Sequence, residues 1–191
     1  MHELRSTLLE DKLGIKSFLN SFLAPEFMRI LKQDSGVLVT LENGLVKKTV
    51  RGFNHSGLRY YNPEEMVNRE IKALQTVRGI KGIQKFIKRT SEDTFYSEYM
   101  PGPCLYYLKD KLNDSFFDAL TKNTNECNKR GVYRIGQHRR DFLILPDGKP
   151  GIIDFGNVLF EDDPMADIPF LNQVAVCYSY LRIQSLRRRY T

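Results

Sequence analysis

The stretch that most constrains this chain spans residues 131–156, GVYRIGQHRRDFLILPDGKPGIIDFG. Two short apolar runs, residues 142–145 and 151–153, flank Pro146-Asp147-Gly148. Proline presets the first dihedral of a turn and glycine accepts the positive one, so the spacing predicts a β-hairpin. A hairpin brings its two ends together. Asp141, just before the first strand, is thereby set near Asp154, just after the second. Two carboxylates at one end of a hairpin, the second followed by Phe155-Gly156, suit a magnesium ion carrying bound phosphates.

Upstream, Asn43-Gly44 joins two β-rich runs, residues 37–41 and 45–50, and Asn-Gly between such runs is a strong hairpin signal. A further run over residues 27–33, before an Asp34-Ser35-Gly36 turn, makes three antiparallel strands. Lys47 and Lys48 fall on the third, where alternation sends one side chain inward and the other to solvent. Asn62-Pro63-Glu64-Glu65 is a helix start with a cap residue, a proline at the first position and acidic residues in the first turn. The helix is expected to run to about residue 77, burying Val67, Ile71, Leu74 and Val77, with Glu70 bordering that face. Two more strands are expected over residues 83–88 and 94–99, and helices over 116–129 and 168–186. Residues 1–24 repeat Leu8, Leu9, Leu13, Phe18, Leu19, Phe22 and Leu23 at helical spacing up to Pro25.

These residues, in this order, resemble small bacterial kinase-like proteins of the lipopolysaccharide-kinase and RIO type. Asp154-Phe155-Gly156 is similar to the D-F-G of protein kinases, and Asp141 stands at the interval before it where those proteins carry the catalytic-loop Asn. The resemblance implies an α+β, protein-kinase-like fold: a small antiparallel N-lobe sheet with one helix, then a reduced helical C-lobe. It implies a single domain over residues 1–191, with an N-terminal helix at 1–26, the N-lobe at 27–100 and the C-lobe at 101–191. It also implies ATP and Mg2+ as cofactors. Lys48, favoured over Lys47, would meet the phosphates and pair with Glu70, while Glu98 and Met100 would lie in a hinge that contacts the base. Asp154 and Asp141 would hold the metal.

The chain departs from the pattern in two places. There is no G-x-G-x-x-G, only Gly36 where the glycine-rich loop would be. In the catalytic loop, Gly136 stands where the catalytic Asp is expected and Arg134 where its His is expected. Gly136 has no side chain to take a proton, which leaves His138 as the nearby titratable candidate. Asp141 in place of Asn adds a negative charge, for which His138, Arg139 and Arg140 are the expected offsets.

Two classes of function follow. One is an ATP-dependent phosphotransferase with atypical chemistry, whose acceptor by resemblance is a lipopolysaccharide core sugar or a protein. The other is a pseudokinase, binding nucleotide and acting through protein contacts. A third rests on charge alone: the net +6 suits polyanions, including a membrane surface touched peripherally. No aromatic-basic recognition motif supports nucleic acid. No apolar run is long enough to span a bilayer. Cys104, Cys127 and Cys177, widely scattered and odd in number, fit reduced thiols and a cytoplasmic location.

Overall fold

Asn43 and Gly44 take φ of 49° and 75°, so both central residues of the first hairpin are left-handed, the geometry a two-residue turn between twisted strands requires. The turn joins β2 (Val37–Glu42) to β3 (Leu45–Val50), with Glu42 opposite Leu45. The computed structural model describes residues 28–33, 36–51, 62–134, 137–163, 168 and 170–191. The helix expected over residues 1–24, Asp34 and Ser35 of the expected turn, and Gly136 lie outside the described residues.

β1 (Arg29–Gln33) pairs with β2, while β3 pairs with β5 (Thr94–Glu98) and β5 with β4 (Phe86–Arg89). The result is a five-stranded antiparallel sheet in the order β1-β2-β3-β5-β4. One face of β3 carries Val46 and Val50, both buried; α1 (Pro63–Thr76) is the helix in contact with that strand. Asn62 caps α1, its Oδ1 accepting from the Glu64 N–H at 3.0 Å. Val67, Ile71, Leu74 and Val77 are buried as the periodicity requires, and Glu70 is buried with them.

The expected strand over 83–88 starts later. Residues 82–84 instead leave the sheet and lie along the second hairpin, Ile83 bridging Ile152 in parallel. Ile152 donates to the Gly82 carbonyl at 2.7 Å, and Gln84 donates to the Ile152 carbonyl at 3.1 Å. Only glycine fits at 82: its φ is +74°, and a Cβ there would stand 2.4 Å from the Pro150 carbonyl oxygen. This strap joins the sheet to the hairpin.

α2 (Asp114–Lys129) begins two residues earlier than its apolar pattern suggests, because Asn113 caps it. It buries Phe116, Phe117, Leu120 and Cys127, whose thiol is pushed up to about 11 by burial. β6 (Val132–Arg134) pairs with β9 (Val158–Phe160), and β7 (Phe142–Ile144) pairs with β8 (Pro150–Ile152) across the Pro146-Asp147-Gly148 turn. α3 (Leu171–Tyr190) runs past the expected end at residue 186. Tyr190 holds that extra turn, its hydroxyl donating to the Leu105 carbonyl at 2.6 Å and its own carbonyl accepting from Leu112. One apolar cluster runs from Val50 and Leu74 through Phe142, Ile152 and Phe155 to Phe117, Ile183 and Tyr190.

The architecture is α+β, as expected from the pattern of elements. Because Asn62 supplies the cap bond, Asn62→Ala should destabilise the protein by about 1 kcal/mol, and Asn62→Asp should restore most of it. Urea denaturation of the two variants checks this; equal stability of Asn62→Ala and wild type would show the cap carries no load.

Candidate functional site

Alternation along β3 puts Lys48 on the same face as Val46 and Val50. An ammonium on a buried face needs partners, and two elements supply them. Its Nζ donates to Glu70 Oε2 at 2.7 Å and Oε1 at 3.0 Å, and to Asp154 Oδ1 at 3.0 Å. Sheet, helix and the end of the second hairpin therefore meet on one nitrogen. Lys47 turns to the other face, where it pairs with Glu42 and lies 6.0 Å from the Tyr96 ring centroid.

Gly156 borders this cluster. A Cβ there would come within 3.3 Å of Asp154 Oδ1 and 3.5 Å of Glu70 Oε2, so any side chain would crowd the carboxylates. Asp154 itself has φ +60°, a conformation that costs a non-glycine residue about 1–2 kcal/mol. Arg134 holds it there. This guanidinium is 3% exposed, and its Nη2 donates to the carbonyls of Ile153 at 2.9 Å and Asp154 at 3.0 Å. It lies over the rings of Phe155 and Phe142, at 4.8 and 5.5 Å from their centroids.

Asp141 closes a short 3-10 turn, Arg139–Asp141. Its Oδ2 accepts from the His138 backbone N–H at 2.8 Å and lies 3.6 Å from Arg134 Nη2. Here the structure corrects the sequence. The cation beside Asp141 is Arg134, whereas Arg139 bonds the Tyr190 hydroxyl and both Arg139 and Arg140 cover the Tyr106 ring. His138, exposed, acts on Asp141 through its backbone N–H and, to a lesser degree than Arg134, electrostatically, so that part of the expectation stands.

The charges perturb one another. Lys48 holds the Asp154 carboxyl well below the usual range, against the effect of burial, and Lys32 adds to the depression. Burial alone would lower Lys48, but Asp154 and Glu70 together raise it above the usual lysine value. Burial pushes Glu70 up, against the pull of Lys48. Asp141 is raised by burial too, opposed first by Arg134, while Asp154 nearby adds to the rise.

Of the expected hinge residues, Glu98 has its groups engaged: its N–H donates to Lys85 O, its carbonyl accepts from Gln84 Nε2, and its carboxylate meets Lys85. Met100 follows the end of β5, and its side chain reaches Gly151 on β8, where a Cβ would stand 3.2 Å from the Met100 methyl. Lys48, Glu70, Asp154 and Asp141 are thus drawn to one cluster, and Lys47 and Glu98 are turned to other partners. Arg134 and Lys32 were not foreseen. A buried arginine has no local sequence mark, and the position of Lys32 depends on strand register.

Asp154 Oδ2 and Asp141 Oδ1 carry no hydrogen bond among the described residues. Two hard oxygen donors of this kind fit a magnesium ion that takes its remaining ligands from phosphate and water. No group of three or more His, Cys, Asp or Glu among the described residues could hold a metal unaided.

A five-stranded sheet with one buried helix, strapped to a hairpin that ends on Asp154, is a protein-kinase-like fold. Comparison with solved structures supports it. The chain is similar to the Rio2 kinase of Chaetomium thermophilum, solved as an ADP/Mg2+-phosphoaspartate complex, with a TM-score of 0.58 and 15% identity. The match covers 93% of this chain and 59% of that one, so the chain spans well under two thirds of its neighbour's length. No protein-family model matches the sequence, and no curated protein does.

The triad makes a pH-dependent prediction. The depressed Asp154 adds stability above its ordinary value of 3.8, which is lost as pH falls through the lower folded value. The raised Lys48 adds stability below 10.5, lost as pH rises through the higher folded value. Lys48→Met leaves two carboxylates facing each other and should cost about 3 kcal/mol at neutral pH. That deficit should shrink from about pH 8 to about pH 5, as the unpaired Glu70 takes up a proton. Urea denaturation at both values checks it; a deficit independent of pH would mean the ammonium acts through packing alone.

Proposed function

We propose that this chain binds ATP with magnesium in the cleft between sheet and hairpin, as an ATP-dependent phosphotransferase of the lipopolysaccharide-kinase and RIO type with an incomplete catalytic loop. The observation that carries this reading is the single ammonium of Lys48 bonded to both Glu70 and Asp154. Phosphoryl transfer depends on positioning and charge neutralisation, and a lysine fixed by a helix carboxylate is a positioned phosphate ligand. Asp154 and Asp141 are the residues that would hold magnesium, which when bound would neutralise phosphate charge. Met100 is the hinge residue that reaches toward Gly151 and would contact the base.

Proton removal from the acceptor is the missing part. Gly136 supplies no carboxylate, and His138 is the exposed group that remains to take the proton. Gly136 equally favours a second reading, a pseudokinase in which nucleotide is bound and transfer is absent or slow. The acceptor is a lipopolysaccharide core sugar or a protein hydroxyl. We take the chain as a single domain over residues 1–191, working in the cytoplasm with reduced cysteines. Among the described residues, no helix is long and apolar enough to cross a membrane.

Thermal denaturation with Mg-ATP should show stabilisation of wild type, since a ligand that binds only the folded state raises its stability. Asp154→Ala should lose the magnesium-dependent part, and no shift in wild type at millimolar Mg-ATP would sink the reading. ATP turnover in wild type, His138→Ala and Gly136→Asp then separates the two functions. Loss in His138→Ala identifies that residue as the working base. Turnover gained by about 10²- to 10⁴-fold in Gly136→Asp identifies a degenerate kinase. Bound ATP with no turnover in all three identifies a pseudokinase.

A further inference from the structure

Lys32 and Lys48 lie on the same face of the sheet. Lys32 is directly opposite Val39, and Val39 is directly opposite Lys48. Residues facing each other across antiparallel strands project to one side, so the register carries Lys48's face outward to β1. Two strand spacings separate the lysines, about 10 Å at about 4.8 Å each. Across that backbone interval, with Val39 between them on the same face, two long side chains can reach different phosphates of one polyphosphate.

The alignment depends on an irregularity. Ile30 is opposite Thr40, yet Lys32, two residues on, is opposite Val39, one residue back. Without this bulge Leu31 would face Val39, and Lys32 would face Leu38 on the outer side. A bulge re-aims side chains, and here it places the Lys32 ammonium on the side of Lys48 and Asp154.

We propose that Lys32 is a second phosphate-binding residue, gripping the outer phosphate of a nucleoside triphosphate whose inner phosphates meet Lys48. It takes the place of the backbone N–H cradle that a glycine-rich loop would supply, which this sequence lacks. The inference rests on the nucleotide reading above and adds to it a specific divided grip, one lysine on β3 and one on the edge strand β1.

Isothermal titration of Mg-ATP, Mg-ADP and adenosine into wild type, Lys32→Met and Lys32→Arg tests it. Lys32→Met should weaken ATP by about tenfold or more, the worth of a hydrogen bond to a charged group, and ADP by less. Adenosine should bind as before, and Lys32→Arg should keep most of the ATP affinity. Unchanged ATP affinity in Lys32→Met, with wild type binding normally, overturns the role of Lys32 and leaves the nucleotide reading intact. An equal loss for adenosine also overturns it, since the residue would then act through the fold. Failure of wild type to bind any of the three removes the nucleotide reading and this inference together.

Discussion

One buried ammonium sets the terms for the rest of the structure. Lys48 is 13% exposed and Glu70 4% at the side chain, so neither charge is stable there without the other. Their pairing requires β3 and α1 to hold a fixed distance, and Asp154 on the same nitrogen extends the requirement to the hairpin. Three segments remote in sequence are tied by charge, where apolar contact alone would tolerate sliding. The Gly82 strap and the shared core reinforce the joint, because Ile152 bonds the strap and packs in the cluster with Leu74. The site is therefore built from elements that cannot shift separately without exposing or stranding a charge.

Arg134 plays the corresponding part on the other side of the hairpin. Its guanidinium is planar, so it can stack on Phe155 while its edge bonds two successive carbonyls. Those bonds oppose the strain of the left-handed Asp154, and the same Nη2 faces Asp141. Its own carbonyl accepts from Ser179 on α3, and Gln137 bonds both. The conformation that aims Asp154 at Lys48 is thus maintained from the C-terminal helix through one buried cation.

The sequence made the local elements legible wherever a physical signal was local. Asn43-Gly44, Asn62-Pro63 and Pro146-Asp147-Gly148 each name a turn or cap by backbone chemistry, and each stands where expected. The convergence of Lys48, Glu70 and Asp154 could be anticipated because periodicity gives a face to each element and the resemblance gives their order. Ile83 was misplaced because apolar residues suit a strand and a strap equally well, and only the Gly82 close approach separates them. Arg134 and Lys32 escaped for a different reason. A residue type says nothing of burial when its partners are carbonyls distant in sequence, and no pattern in the sequence marks a bulge in an edge strand.

The balance of charge at the site decides what else it needs. Lys32, Lys48 and Arg134 stand against Glu70, Asp141 and Asp154, so the site is close to neutral before anything binds. Arg134 is committed to carbonyls and to Asp141, and Lys48 to two carboxylates, so neither would bring spare positive charge to the triphosphate proposed above. The two carboxyls raised by burial show that this interior already resists further negative charge. A polyphosphate would therefore need its own counter-charge, and the carboxylate oxygens of Asp154 and Asp141 that carry no hydrogen bond among the described residues are the ones that would hold a divalent cation. The net +6 of the whole chain does not alter this, since exposed charge is screened over about 8–10 Å in physiological salt. On the proposed nucleotide reading, metal dependence of binding would follow from the near-neutrality of the site itself, apart from any chemistry the metal performs.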